Sequence, residues 1–422
     1  MKRITAILFP LLLILPLLSG CGGPTGADRA APGTELPPEG NRPPDADTPG
    51  QPQSGGDALS ERVKQMSLDE KIGQMVIVGL QGYTIDDHAR ELIESYRVGG
   101  FILFKDNIRD SAQTLQLINS LKEANSPGGV PLFFCVDEEG GKVSRLPGEF
   151  VKFPSNRTVG GVNDGSFSRE IGRLIAEQIK SLGFNMNFAP VLDIDSNPAN
   201  PVIGDRSFGA DADIVAKLGV ETMKGMQEKE VISVVKHFPG HGDTSVDSHI
   251  GLPVLNHGLQ RLKSFELVPF AAAINNGADA IMVAHILLPQ IDRQQPASLS
   301  SVFLTDILRS DLRFDGVIVT DDLTMGAIES QYEIGAAAVQ LVRAGGDIVL
   351  VCHDYAKARA ALDALRQAVR TGELPERRID ESVRRILKLK EKYRIADEKI
   401  ASVNVERIND AVRNLLNRYL ES

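Results

Sequence analysis

Eight short apolar runs alternate with longer segments of helical periodicity along most of the chain. The runs lie at 75–78, 100–104, 132–136, 184–189, 232–236, 280–284, 316–320 and 348–352. The amphipathic segments between and after them include 168–182, 212–228, 262–276, 332–344 and 355–371. Short buried strands that alternate with helices are typical of parallel α/β folds. The pattern predicts a (β/α)8 TIM-type barrel, with a doubly wound open sheet as the alternative.

Nearly every predicted strand ends in an ionisable residue on its carboxyl side. In chain order these residues are Asp137, Asp193, Asp195, Lys236, His237, His285, Asp321, Asp322, His353 and Asp354. The carboxyl ends of barrel strands converge on one face, whereas those of an open sheet spread along an edge. The pattern therefore favours the barrel and predicts an active site at that face.

The N-terminus has the composition of an export signal. Lys2 and Arg3 precede an apolar run at 4–18, which is shorter than the ~20 residues of a membrane-spanning helix. The run ends in Leu-Ser-Gly-Cys, which resembles the bacterial lipobox, in which the cysteine is lipid-modified and becomes the new N-terminus. We therefore predict a lipoprotein signal peptide at 1–21 with Cys21 as the lipidation site. An ordinary signal peptide or an uncleaved anchor is the alternative.

Residues 22–58 hold eight prolines and eight glycines, with one leucine and no aromatic residue. Such a segment cannot bury enough apolar surface to offset the conformational entropy lost on ordering. We therefore predict a disordered tether. With Cys21 lipidated, the protein would be anchored to the cell membrane and face outside the cytoplasm. An extension without a role fits the same composition.

The composition becomes globular beyond this segment. We predict one barrel domain at 59–396. We also predict a C-terminal amphipathic helix at 397–422 that docks on the barrel or on a partner. The net charge is −10, from 46 Lys and Arg against 56 Asp and Glu, which disfavours a broad nucleic-acid-binding surface. The two cysteines beyond the N-terminus, Cys135 and Cys352, lie in apolar runs and are interpreted as small buried hydrophobes rather than a disulfide or a reactive thiol.

The densest chemical segment is the loop at 236–249, which reads Lys-His-Phe-Pro-Gly-His-Gly-Asp-Thr-Ser-Val-Asp-Ser-His and holds three of the seven histidines. Two interpretations are open. His237, His241, Asp243 and His249 could surround a metal ion. Alternatively, Asp247 could orient His249 for acid/base catalysis, because a nearby carboxylate holds the ring and favours its protonated form.

Three other segments carry strand-end carboxylates or a loop arginine. They are Val-Asp-Glu-Glu-Gly-Gly-Lys-Val at 136–143, Gly-Asp-Arg-Ser-Phe at 204–208 and Thr-Asp-Asp-Leu at 320–323. Singly they are weak, and Asp322 is equally well interpreted as a helix N-cap. Together with the 236–249 loop, and in the same order, they resemble the bacterial β-N-acetylhexosaminidases of glycoside hydrolase family 3, in a single-barrel lipoprotein form. The resemblance covers roughly residues 60–395.

The resemblance implies a (β/α)8 fold and a retaining, exo-acting β-N-acetylglucosaminidase that needs no cofactor or metal. It implies that Asp321 is the nucleophile, His249 the general acid/base and Asp247 its orienting partner. It implies that the sugar is held by Asp137, Arg145, Arg206, Lys236 and His237. Terminal N-acetylglucosamine of cell-wall muropeptides or chitin-type oligosaccharides is the expected substrate, and a monomer is the expected state.

The sequence departs from the family in small ways. Lys142 stands where many relatives have arginine, Glu138 stands at a variable position, and many relatives carry a second C-terminal domain. One alternative within the family is a β-glucosidase. Another is an N-acetylglucosaminide phosphorylase, because a neutral imidazole would not repel a phosphate acceptor. A metal-dependent barrel hydrolase and a noncatalytic wall-binding lipoprotein are the alternatives outside it.

Overall fold

The structure, a computed structural model, describes residues 54–125 and 129–421, with side chains from residue 58 onward. The predicted signal peptide, the lipidation site Cys21 and most of the predicted linker lie outside the described residues. Helix α1 begins at Ser54, within the segment predicted as linker. In the described ranges, every helix is too short or too polar to cross a membrane.

Eight parallel strands form the centre of the molecule. They are β1 (Val76–Gly79), β2 (Gly100–Ile102), β3 (Phe133–Val136), β4 (Met186–Asn187), β5 (Ile232–Phe238), β6 (Ala280–Val283), β7 (Val317–Thr320) and β8 (Val349–Val351). Their order is β7-β6-β5-β4-β3-β2-β1-β8. A parallel bridge between Val319 and Ile348 brings β7 next to β8. The predicted barrel is therefore confirmed, and the open sheet is excluded.

The strands formed where the apolar runs predicted them, with two informative differences. The run at 184–189 gives a strand of only two residues, although Asn185 and Phe188 still donate backbone hydrogen bonds to β3. Strand β5 extends beyond the predicted end at Lys236 through His237 to Phe238. Its register with β6 shifts between Val235 and Phe238. Lys236 and His237 thus sit on a strand, which holds them more firmly than a loop would.

The helices surround the strands, as crossover connections require. They are α1 (Ser54–Gln65), α2 (Leu68–Gln74), α3 (Asp87–Glu94), α4 (Ser111–Asn125), α5 (Asn156–Val162), α6 (Gly165–Ser181), α7 (Ala212–Glu228), α8 (Leu259–Ser264), α9 (Val268–Asn275), α10 (Gly326–Glu329), α11 (Ile334–Ala344), α12 (Tyr355–Arg370), α13 (Glu376–Lys392) and α14 (Val405–Leu420). A π-helix, Val302–Asp311, lies between β6 and β7.

One predicted helix is divided in two. The amphipathic segment 262–276 forms α8 and α9, and Pro269 stands in the first turn of α9. Proline has no amide hydrogen and is tolerated only in the first turn of a helix, so a continuous helix through this position is disfavoured.

The buried side chain of Lys390 lies at the amino-terminal ends of β1, β2 and β3. Its ammonium group donates hydrogen bonds to Gln74 Oε1 at 2.7 Å and to the carbonyls of Gly99 and Pro131 at 3.1 and 2.6 Å. These three residues immediately precede or lie close before β1, β2 and β3. One side chain therefore ties three strands together at the end of the barrel opposite the predicted active site.

The C-terminal helix α14 docks on α6 of the barrel. Val412 and Leu415 are buried, and the Tyr419 ring stacks on Phe167 with centroids 4.5 Å apart. Arg407 also forms an ion pair with Glu177 of α6 at 2.7 Å. The predicted amphipathic helix thus packs its apolar side chains on a face of the barrel.

Candidate active site

A cavity of about 290 Å³ opens among the carboxyl ends of the strands. Seven of the eight residues predicted to bind or cleave the sugar line it, namely Asp137, Arg145, Arg206, Lys236, His237, His249 and Asp321. The eighth, Asp247, is hydrogen-bonded to His249. The fold therefore brings together residues that are spread over 185 positions of the sequence, from 137 to 321.

One wall of the cavity is a network of two cations and two carboxylates. Lys236 Nζ lies 2.6 Å from Asp137 Oδ1 and 2.7 Å from Glu139 Oε1. Arg206 grips the same Glu139 with two donors, Nε at 2.8 Å and Nη2 at 2.7 Å. Glu139 lies in the segment 136–143, but the sequence predicted no role for it. Its position beside the strand-end Asp137 was the only sequence signal for it.

Glu139 and Lys236 stay ionised although both are buried. Burial would raise the pKa of Glu139, but the charges of Arg206 and Lys236 hold it well below its usual range. Burial would lower the pKa of Lys236, but Asp137 and Glu139 raise it above its ordinary value. Fixed charges of both signs, already paired with each other, suit the recognition of sugar hydroxyls, which donate and accept hydrogen bonds.

His237 is held in one orientation by a buried carboxylate. Its Nδ1 lies 2.6 Å from Asp193 Oδ2, and Asp193 Oδ1 accepts the backbone amide of His241 at 2.6 Å. The other ring nitrogen, Nε2, lies 3.4 Å from Arg206 Nη2. Asp193 is thus a supporting residue behind the cavity wall and not part of its lining.

Asp321 follows β7 directly and lines the cavity on another side. Its Oδ1 accepts the backbone amide of Asp322 at 2.9 Å. Burial would raise the pKa of Asp321, but the nearby His285, His237 and Lys236 contribute to holding it below its ordinary value. The side chain is therefore a carboxylate at neutral pH, which is the form that a nucleophile requires.

Asp322 does not cap a helix, so the N-cap interpretation is wrong. Met325 occupies the N-cap position of α10. Asp322 Oδ1 instead accepts the backbone amides of Thr324 at 3.0 Å and Cys352 at 2.9 Å. The carboxylate thus ties the end of β7 to the end of β8 and fixes the backbone next to Asp321.

His249 and Asp247 form a hydrogen-bonded pair on the loop after β5. Asp247 Oδ1 lies 2.8 Å from His249 Nδ1 and accepts the His249 backbone amide at 2.9 Å. Burial would raise the pKa of Asp247, but these hydrogen bonds keep it below its usual value. The His249 side chain is 69% exposed. The pairing leaves Nε2 free to carry a transferable proton.

The loop that carries this pair rests on the segment that follows Asp321. The amides of Gly326 and Ala327 donate to the carbonyls of His249 at 3.3 Å and Ser248 at 3.1 Å. The start of α10 and the loop after β5 are therefore joined directly, and this contact sets His249 at the cavity that Asp321 lines.

The metal-site interpretation of the 236–249 loop finds no support in the geometry. His241 Nδ1 bonds Thr244 Oγ1 at 2.7 Å, and Asp243 bonds His257 at 2.7 Å, so the four candidate ligands have different partners. Burial and the charge of His237 lower the pKa of His241 to about 4. In the described ranges, no three His, Cys, Asp or Glu side chains are grouped for a metal ion.

Phe104, which the sequence did not indicate as a site residue, forms a further wall together with His353. The Phe104 ring stacks on His353 with centroids 5.0 Å apart, and the Arg145 guanidinium lies 5.9 Å from the Phe104 centroid. The Arg145 Nε atom is buried without a hydrogen-bond partner. Phe104 ends the second apolar run and His353 follows the eighth, so their strand-end positions were the available signal.

Several strand-end ionisable residues do not line the cavity. Asp195 pairs with Arg157, His285 is buried against Ser298, and Asp354 caps α12. The two described cysteines are free and buried, and burial raises both thiol pKa values well above the usual range. Cys352 touches the cavity but is therefore a thiol and not a nucleophilic thiolate.

Comparison with known proteins agrees with this geometry. The Glycosyl hydrolase family 3 N terminal domain matches residues 67–389. Beta-hexosaminidase A of Pseudoalteromonas piscicida is 35% identical over 356 residues, 79% of this chain and 60% of the relative. Beta-hexosaminidase of Nitrosomonas eutropha is 35% identical over 348 residues, 80% of this chain and 99% of the relative.

A solved structure gives the same relationship in three dimensions. The glycoside hydrolase family 3 beta-N-acetylglucosaminidase from Paenibacillus sp. strain FPU-7 superposes with a TM-score of 0.80 at 42% identity, over 84% of this chain and 69% of the other. The family match and these relatives, together with the barrel and its site, place the chain in the glycosidase class. The chain belongs to glycosyl hydrolase family 3.

Proposed function

We propose that this protein is a retaining β-N-acetylhexosaminidase that releases terminal N-acetylglucosamine from cell-wall muropeptides or chitin-type oligosaccharides. One observation carries the proposal. Asp321 and His249, which is hydrogen-bonded to Asp247, line one cavity that also has a wall of paired charges. The relatives named beta-hexosaminidase and beta-N-acetylglucosaminidase support the choice of sugar.

In the first step, a carboxylate oxygen of Asp321 attacks the anomeric carbon while the bond to the leaving oxygen breaks. His249 gives its Nε2 proton to that oxygen, and Asp247 stabilises the protonated ring before transfer. The product is a glycosyl ester of Asp321 and a free aglycone. A retaining glycosidase ordinarily uses a second carboxyl group as the acid, and here the imidazole takes that role.

In the second step, water attacks the same carbon from the side that the aglycone left. The neutral His249 ring accepts the water proton, the ester bond breaks and Asp321 is released as a carboxylate. Asp137, Arg206, Lys236 and His237 would hold the sugar hydroxyls and the N-acetyl group in both steps, and Arg145 has an unpaired buried donor to contribute.

We also propose that the enzyme works outside the cytoplasmic membrane, anchored by lipid at Cys21 through the tether at 22–58. The support is the signal-like N-terminus and its lipobox-like cysteine. An enzyme so placed would have direct access to wall fragments.

The nucleophile assignment is tested with Asp321→Ala. We expect hydrolysis of an aryl N-acetylglucosaminide to fall by about 10³-fold or more with an unchanged circular dichroism spectrum, because the covalent route is lost. Asp195→Ala is the matched control, since this strand-end carboxylate lies outside the cavity, and it should retain most activity. Substantial turnover by Asp321→Ala would contradict the assignment. Release of a sugar phosphate by the wild type in phosphate buffer would show that the enzyme is a phosphorylase rather than a hydrolase.

A further inference from the structure

We propose that Asn409, on the C-terminal helix α14, is a positioning residue for the sugar-binding loop that follows β3. This inference rests on the proposed function, because it concerns how the residues that hold the sugar are kept in place. None of the described residues that line the cavity belongs to α14. The helix therefore acts on the site only through the residues between them.

The Asn409 side chain binds the loop backbone at two points. Its Oδ1 accepts the amide of Val151 at 2.8 Å, and its Nδ2 donates to the carbonyl of Glu149 at 2.8 Å. Asn409 is 3% exposed. A primary amide offers an acceptor oxygen and a donor nitrogen side by side, which matches these two backbone groups. An apolar residue would leave both backbone groups buried and unpaired.

A second amide completes the grip from another helix. Gln178 of α6 donates from Nε2 to the Val151 carbonyl at 2.9 Å and is also buried. Both backbone groups of Val151 are thus held by side chains of helices that pack on each other. Since α14 docks on α6, the two amides form one rigid support for this part of the loop.

The support is connected to the charged wall of the cavity. Two residues beyond Val151, the Phe153 carbonyl accepts the amide of Gly141 at 3.0 Å. Gly140 and Gly141 have φ values of +85° and +58° and turn the chain back beside this segment. Glu139 directly precedes this turn and holds both Arg206 and Lys236. Displacement of segment 149–153 would therefore displace the carboxylate that orders two sugar-binding cations.

A positioning role differs from mere stabilisation in what it changes. Asn409→Leu removes both hydrogen bonds while keeping the branched shape and the number of side-chain heavy atoms. We expect KM for an aryl N-acetylglucosaminide to rise about tenfold with kcat within about twofold, because the sugar contacts weaken equally in the ground and transition states. Leu415→Ala is the matched control on the same helix. It loses buried apolar contact, so its melting temperature should fall while KM stays unchanged.

Hydrogen exchange gives a readout that does not need activity. The amides of Gly141 and Val151 should exchange faster in Asn409→Leu than in Leu415→Ala. Gln178→Leu removes the support from α6 and should raise KM and the exchange rates of these amides in the same way. This variant replaces Asn409→Leu if Asn409→Leu does not fold. Equal KM in Asn409→Leu and Leu415→Ala, or unchanged exchange at Gly141, would overturn the proposal. A wild type without hexosaminidase activity would refute the proposed function but leave the exchange result intact.

Discussion

At the scale of single residues, the two proposed catalytic groups have opposite surroundings. Asp321 is partly buried and is ordered by a backbone amide and neighbouring charges, whereas the His249 side chain is 69% exposed and is held through Asp247. A nucleophile gains from a fixed position beside the anomeric carbon, and an acid/base must exchange protons with water between steps. The difference in burial therefore fits the difference in role.

His249→Ala tests the acid/base role. We expect kcat/KM for substrates with poor leaving groups, such as chitobiose, to fall by about 10²–10⁴-fold, because the departing oxygen is no longer protonated. An activated aryl glycoside with a low leaving-group pKa should lose much less in the first step. His257→Ala, which removes the partner of Asp243 outside the cavity lining, is the control. Equal losses on both substrates would indicate that His249 is only structural.

At the scale of elements, the close contact between the loop after β5 and the start of α10 determines where His249 stands. A Cβ at Gly326 would lie 2.7 Å from the His249 carbonyl oxygen and 2.8 Å from that of Ile250. Backbone atoms at this distance cannot rotate away as a flexible side chain can. Glycine is therefore required at 326 by the approach of the loop.

Gly326→Ala should push the His249 loop away from the cavity while leaving Asp321 in place. We expect activity on chitobiose to fall by about tenfold or more and activity on an activated aryl glycoside to fall less, as for a weakened acid. Gly161→Ala is the matched control, because a Cβ at this helical position meets nothing within 4 Å. That variant should keep full activity. A Gly326→Ala enzyme with wild-type rates on both substrates would show that the contact does not position His249.

At the scale of the whole molecule, the two ends of the barrel carry different side-chain networks. Lys390 ties the amino-terminal ends of three strands, α14 covers α6, and the charged and aromatic walls meet at the carboxyl ends. Among the described residues, those that line the cavity lie at 102–353, beyond the predicted tether at 22–58.

Cys21→Ser tests the predicted anchor in cells. The wild-type protein should incorporate a labelled fatty acid and enter the detergent phase on phase separation, because two or three acyl chains give stable membrane attachment. Cys21→Ser should lose the label and leave the detergent phase, with unchanged activity per molecule. Cys135→Ala retains Cys21 and should label like the wild type. Detergent partition of Cys21→Ser would argue for an uncleaved anchor instead.

The amino-acid sequence alone determined the local features of this protein. The period of the apolar residues predicted all eight strands, and the residue types at their ends predicted the cavity side, because both are set by neighbours within a few positions. The sites of Asp321, His249 and Asp247 were predicted from motif resemblance, and the structure brings them to one place.

Only the tertiary structure decided which of these residues act together. It gave Glu139 its two cations, made Asp322 a tie between strands and set Asn409 against a loop some 260 residues earlier in the chain. Such roles depend on distances between segments that are remote in sequence. Local periodicity carries no information on those distances, because they are fixed by how the helices and loops pack around the closed barrel.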